Sequence, residues 1–280
     1  MMQISFPYLG IELTVDRVAF TIFDTPVYWY GIIIAFGFVL GIVLASFASL
    51  KLGEKYDVPI DLALVCTPLA IICARLYYVI FRWDMYKDNL NSVFDIRSGG
   101  IAIYGAIIGA VISALVYCRI TKKNTLKMFD IGSVGLITGQ MIGRWGNFVN
   151  QEAFGTNTTL PWAMKGTGIK EELAVMAQNG IDVNTELGVH PTFLYESLWS
   201  LLTLCILFVI IYKKYKYTGQ VFFAYCSFYG LGRLWIEGIR SVSLMIGPFR
   251  VSQLLAFVCF LVFSFLYFYF SKRKSVKPNC

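Results

Sequence analysis

YWYGIIIAFGFVLGIVLASFASL (residues 28–50) carries no charged side chain. Coiled as a helix it rises about 1.5 Å per residue, enough to cross a hydrocarbon core of about 30 Å. Six further apolar stretches of similar length follow, near 60–81, 100–118, 129–149, 192–212, 219–239 and 250–270. The composition agrees: 57% of the 280 residues are hydrophobic and 15% are charged, against about 45–50% and about 25% in a soluble domain. A soluble core has no room for so many apolar helices. The reading is an all-α polytopic membrane protein with seven transmembrane helices, forming a single transmembrane domain over residues 1–280.

The basic residues orient it. One set of connecting segments holds Lys51, Lys55, Arg119, Lys122, Lys123, Lys127, Lys213, Lys214, Lys216, Lys272, Arg273, Lys274 and Lys277. The alternate set holds Arg17, Arg82, Lys87, Arg97, Lys165, Lys170, Arg240 and Arg250, diluted over far more chain. Cytoplasmic loops are the ones enriched in Lys and Arg, so the N-terminus lies outside and the C-terminus in the cytoplasm. The net charge of +7 follows this topology, and a nucleic-acid partner is excluded. Residues 150–191 are too long and too polar for a simple turn. They read as a small external cap between the fourth and fifth spans, with a short helix near 170–179.

Small residues recur every four positions: Gly37 and Gly41, Gly105 and Gly109, and Gly135, Gly139 and Gly143. That spacing lets helix backbones approach closely in lipid. The seven cysteines show no CxxC pair and read as small apolar packing residues.

Charges inside spans are costly and usually functional. Given the topology, Arg75, Arg144, Asn147, Arg233, Glu237, His190, Tyr195, Glu196, Tyr30 and Tyr104 all gather in the outer half of the bilayer. Gln140, Arg144, Asn147 and Gln151 share one helical face by spacing, as do Tyr229, Arg233, Glu237 and Arg240. Two such stripes at one depth make a cationic, hydrogen-bonding cavity. Arginine offers a planar fork of donors matched to phosphate oxygens, so a phospholipid headgroup suits it. Other chemistries fail on inventory: there is one histidine, no HExxH, no GxSxG and no serine with a supporting motif. The inner halves of the spans are almost wholly apolar, which argues against a transport pathway.

Residues 143–155, GRWGNFVNQEAFG, resemble the signature of the bacterial phosphatidylglycerol–prolipoprotein diacylglyceryl transferase family, including Arg144, Asn147, Glu152 and Gly155. Further landmarks of that family occur in order: Trp29-Tyr30-Gly31, Ala74-Arg75-Leu76-Tyr77-Tyr78, residues 99–105 (GGIAIYG), residues 190–196 (HPTFLYE), and the series Tyr229, Arg233, Glu237, Arg240. The resemblance covers nearly the whole chain. Many members carry histidine where this chain has Tyr104, and others carry tyrosine, so no mechanism that needs an imidazole there is carried over.

The resemblance implies a reaction. The thiol of a lipobox cysteine in a secreted preprolipoprotein attacks the glyceryl carbon of phosphatidylglycerol, and glycerol phosphate leaves. The implied partners are phosphatidylglycerol, lipobox signal peptides and membrane lipid, at the bacterial plasma membrane, with no cofactor and no metal. Arg144 and Arg233 are the candidates for holding the leaving phosphate. The thiol, with a pKa of about 8.5, must lose its proton, and Tyr104, Glu152, Glu237 and His190 are open candidates for that step. Tyr30, Arg75, Arg144, Asn147, Gly155, His190, Tyr229 and Arg240 are the implied substrate-binding residues.

Overall fold

The computed structural model describes residues 2–95, 99–241, 245–246 and 249–273. Arg97, Lys274, Lys277 and Cys280, which enter the charge argument or end the chain, lie outside the described residues.

Four short strands come first: β1 (Met2–Phe6), β2 (Ile11–Val15), β3 (Val18–Ile22) and β4 (Thr25–Tyr28). Helices α1 (Trp29–Lys51), α2 (Val58–Phe81), α3 (Ile103–Thr121) and α4 (Thr125–Asn150) follow. Strands β5 (Asn157–Thr158) and β6 (Lys165–Gly166), helix α5 (Thr167–Gln178) and strand β7 (Gly188–Val189) make an intervening layer. Then come α6 (Thr192–Val209), α7 (Gln220–Gly238), strands β8 (Met245–Ile246) and β9 (Phe249–Arg250), and α8 (Val251–Arg273). The seven long helices fall within four residues of the expected spans at each end. Helices α1, α2, α3, α8 and the stretch Thr192–Lys214, which continues α6 through a π-turn, are each long and apolar enough to cross a membrane. The chain is a helical, multi-pass membrane protein.

Local chemistry sets the boundaries. Helix α3 ends as Lys122 turns left-handed at φ 56°. Asn124 then starts α4, its Oδ1 accepting the Lys127 amide at 3.1 Å, as N-capping side chains do. Gly219, at φ 97°, precedes α7 in a backbone region that an L side chain rarely adopts.

The chain divides into two compact units, Ala45–Gly132 and Met1–Leu44 with Ser133–Cys280. In the first, α2 lies directly against α3. A Cβ on Gly105 would meet the Cys73 carbonyl at 2.5 Å, and one on Gly109 would meet the Cys73 Cβ at 2.6 Å. Glu54 ties the adjoining loops together, reaching Lys123 at 2.7 Å and Lys127 at 3.5 Å.

In the second unit, a Cβ on Gly41 would meet the Gly135 carbonyl at 2.8 Å, and one on Gly37 the Ile142 Cβ at 3.0 Å. The expected glycine spacing is thus a close crossing of α1 and α4. A small apolar core also forms here, from Ile4, Phe154, Met164, Ile169, Leu173, Met176, Val189 and Phe193. The sequence reading had assigned this layer to 150–191 alone. In the structure β1 pairs with both β2 and β6, so β1 and β2 join the layer. Ile4, 1% exposed, is the pin that holds them there.

Candidate active site

Helices α4, α6 and α7 bring an ionic cluster together. Arg144 on α4 places Nη2 2.7 Å from Glu196 Oε2 on α6. Arg233 on α7 lies 3.7 Å from the same oxygen through Nη1 and 2.7 Å from Glu237 Oε2 through Nη2. Arg240 reaches Glu237 at 3.9 Å, and Arg250 donates to the Glu237 carbonyl. Three guanidinium groups thus pair with two carboxylates, and a fourth is held at the Glu237 backbone carbonyl. Both acids are nearly sealed from solvent, with side chains 8% and 3% exposed, while Arg144 and Arg233 keep 25% and 21%. The positive charge is the part that an incoming anion can reach.

Glu196 is the residue the sequence reading underused. The sequence places it in the outer half of the bilayer without assigning it a role. The available signal was that it is the sole acid in 192–212, and an intramembrane acid calls for a named partner.

The α4 stripe holds for three of its four members. Gln140 donates to the Tyr225 hydroxyl at 2.9 Å, Arg144 joins the cluster, and Asn147 donates to Glu152 at 3.0 Å. Gln151 does not share the face, because α4 ends at Asn150 and Gln151 turns left-handed at φ 56°. Its buried amide instead donates to the Gln3 carbonyl at 3.1 Å and accepts the Gly168 amide at 2.8 Å. Ala153 is also left-handed, at φ 57°. This double turn folds Glu152 back onto α4, where Asn147 and Asn150 both donate to it. Tyr30, at the start of α1, lies against Gly146, whose Cβ would meet the ring at 2.7 Å.

Gly155 acts through its backbone. Its amide donates to the His190 carbonyl at 3.0 Å, and it bridges to Arg240. A Cβ there would meet the His190 Cβ and the Ile239 carbonyl, both at 2.7 Å. The glycine therefore lets three segments converge beside Arg240. His190 itself closes a chain of donors. The Trp162 indole donates to the Tyr195 hydroxyl at 2.6 Å, and that hydroxyl lies 3.2 Å from His190 Nδ1. The Tyr195 oxygen accepts from the indole, and its contact with Nδ1 runs in the direction that the imidazole tautomer sets. Burial lowers the His190 pKa.

Three further expected site residues are Arg75, Tyr104 and Tyr229. Arg75 is buried, and its guanidinium donates to the carbonyls of Val93, Gly99, Gly100 and Ser92 at 2.6–2.8 Å. It lies 5.1 Å from the Tyr86 ring centroid. Those bonds make it a clamp on the segment before α3 rather than a free anion receptor. Tyr104 belongs to the same unit, half exposed near the start of α3, its ring 6.5 Å from that of Tyr77. Tyr229 is 42% exposed, one turn before Arg233. Among the described residues, no group of three His, Cys, Asp or Glu is placed to hold a metal ion.

Fold and site together define a class: a multi-pass helical membrane protein with an anion-receptive arginine cluster held among helices. The family model for prolipoprotein diacylglyceryl transferase matches residues 17–269. The phosphatidylglycerol–prolipoprotein diacylglyceryl transferase of Clostridioides difficile is 40% identical over 258 residues, covering 92% of this chain and 96% of that protein. The proteins of the same name from Finegoldia magna and Bacillus cytotoxicus are 44% and 42% identical, covering 86% and 89% of this chain and 90% and 89% of their own. The chain belongs to the prolipoprotein diacylglyceryl transferase family.

Proposed function

We infer that this chain transfers the diacylglyceryl group of phosphatidylglycerol to the lipobox cysteine of a secreted preprolipoprotein, the first step of bacterial lipoprotein maturation. The cysteine sulfur forms a bond to the terminal glyceryl carbon. The bond from that carbon to the phosphate oxygen breaks, and the oxygen leaves with the bonding electron pair as glycerol phosphate. The thiol proton passes to a base on the protein.

The observation that carries this reading is the charge of the cluster. The lipid phosphate brings one negative charge, and the departing phosphate monoester carries about −1.5 to −2 near neutrality. Three guanidinium groups pair with two carboxylates and Arg250 adds a fourth at the Glu237 backbone carbonyl, a surplus of positive charge that suits that dianion. Because the cations are already held by Glu196 and Glu237, they stabilise the developing charge without first reorganising. Arg144 and Arg233 are assigned to the phosphate, with Arg240 behind them. Asn147 and Tyr30 line the approach, and Gly155 sets Arg240 and His190 by backbone contact. Tyr229 is assigned to the lipid-facing rim, and Arg75 to positioning the segment before α3. Glu237 is committed to guanidinium groups, which leaves Tyr104, Glu152 and His190 for the proton.

The setting follows from the same reading. Seven helices cross the plasma membrane with the N-terminus outside and the C-terminus in the cytoplasm, in one catalytic domain. The layer built from β1, β2 and residues 150–191 is the external cap, and the cluster lies in the outer half of the bilayer. Purified protein incubated with phosphatidylglycerol and a lipobox peptide tests the activity. The peptide gains the mass of one diacylglyceryl group, on cysteine only. An unchanged peptide from folded protein, or equal modification of a Cys→Ser peptide, contradicts the reading.

A further inference from the structure

Beside Glu152, outside the arginine cluster, two cavities open. One, of about 490 Å³, is lined by Tyr28 and Tyr30 together with Arg17, Asn150 and Glu152. The other, of about 360 Å³, shares Arg17, Asn150 and Glu152 and continues to Glu171 and Glu172 on α5. Together they form a groove with an aromatic end and an acidic end, of the size that ligand sites have.

Its charge is opposite to that of the cluster. Three carboxylates, Glu152, Glu171 and Glu172, face one guanidinium, and Arg17 is already donating to the Asn150 carbonyl at 2.9 Å. The start of α5 does not offset this, because the Gly168 amide is taken by Gln151. Partial desolvation, and then the neighbouring Glu152 charge, hold the Glu172 carboxyl above its ordinary value. An anionic headgroup is repelled here. An apolar signal helix gains nothing from a wall of carboxylates.

The groove lies at the end of the helix that carries Arg144 and Asn147. Asn147, which binds Glu152 at 3.0 Å, lies three residues after Arg144 on α4. Asn150, the last residue of α4, lines both cavities. We propose that this groove seats the stretch of acceptor polypeptide that immediately follows the modified cysteine, and that it selects basic or neutral side chains over acidic ones there. The proposal rests on the transferase reading and adds a specificity determinant to it. Recognition divides by sign: the lipid phosphate goes to the arginines and the acceptor chain to the carboxylates.

The test uses the full-length protein in phosphatidylglycerol-containing micelles. Three peptides are compared, identical through the lipobox cysteine and followed by two lysines, two glutamines or two aspartates. An anionic lipid surface itself attracts the lysine peptide, so the quantity read is the aspartate-to-lysine KM ratio in wild type against that in Glu171→Gln/Glu172→Gln. The expected result is a ratio roughly threefold to tenfold smaller in the double variant, the size of two solvent-screened charge pairs. The difference should shrink as salt rises above about 0.15 M. Glu171→Lys/Glu172→Lys should shift the ratio further in the same direction. An equal ratio in wild type and both variants, with the glutamine peptide modified by all three, overturns the groove and leaves the transferase reading intact. A glutamine peptide untouched by wild-type protein counts against the transferase reading itself.

Discussion

Glu196 reaches two arginines from two different helices with a single oxygen. In the free protein it occupies the place beside Arg144 that a phosphate would seek, so it acts as an internal counterion. Glu196→Gln keeps the shape and removes the charge. Removing one negative charge about 4 Å from the phosphate is worth about 1 kcal/mol in bulk water and about 4 kcal/mol at an effective dielectric near 20. Inhibition by glycerol phosphate should therefore tighten roughly tenfold or more while kcat falls, because the product leaves slowly. Unchanged product inhibition in that variant would remove Glu196 from this role. Arg144→Lys is the companion variant: it keeps the charge but loses the fork, and activity should be lost with the protein still folded. For the proton, Tyr104→Phe deletes one oxygen and keeps the ring. A general base contributes about 10²–10⁴-fold, so a drop of only a few-fold across pH 6 to 9 would pass the role to Glu152 or His190. At this scale the sequence showed which side chains are out of place in a membrane, since charge in an apolar span is visible without coordinates. It did not show their partners. Arg75 and Arg144 read alike as intramembrane arginines, yet one is bound to carbonyls of its own loop and the other to a carboxylate across helices.

At the scale of elements, the apolar blocks were legible because α1, α2, α3 and α8 each hold a long stretch of high mean hydropathy with few charges. Helices α4 and α7 are legible for a different reason, their polar residues recurring at helical spacing. The break after Asn150 was not legible. Gln151 fits the α4 stripe by number, and only the left-handed backbone at Gln151 and Ala153 turns it aside. Sequence spacing cannot report a non-glycine residue entering that region, because it is tertiary bonding that holds it there. The Gln151 amide bonds to Gln3 and Gly168 supply that bonding. Gln151→Ala leaves a carbonyl and an amide without partners, each costing about 1–3 kcal/mol when buried. Thermal unfolding in detergent should show a clearly lower midpoint than wild type. An equal midpoint would mean that this latch does not hold the first strands to the cap.

At the scale of the whole molecule, the family match over residues 17–269 and the oppositely charged cluster and groove converge on one chemistry. The contribution of β1 to the cap was hidden from sequence reasoning. Five residues with one deeply buried apolar side chain, Ile4, carry too little pattern to announce a partner more than a hundred positions away. The chemistry makes a claim about a single bond, the one between the glyceryl carbon and the phosphate oxygen. Phosphatidylglycerol carrying heavy oxygen at that bridging position, incubated with purified protein and a lipobox peptide, reports its fate directly. Attack at carbon leaves the heavy oxygen in the released glycerol phosphate and none in the lipidated peptide. Heavy oxygen retained on the diacylglyceryl side, or glycerol phosphate released without a thioether on the peptide, would contradict it.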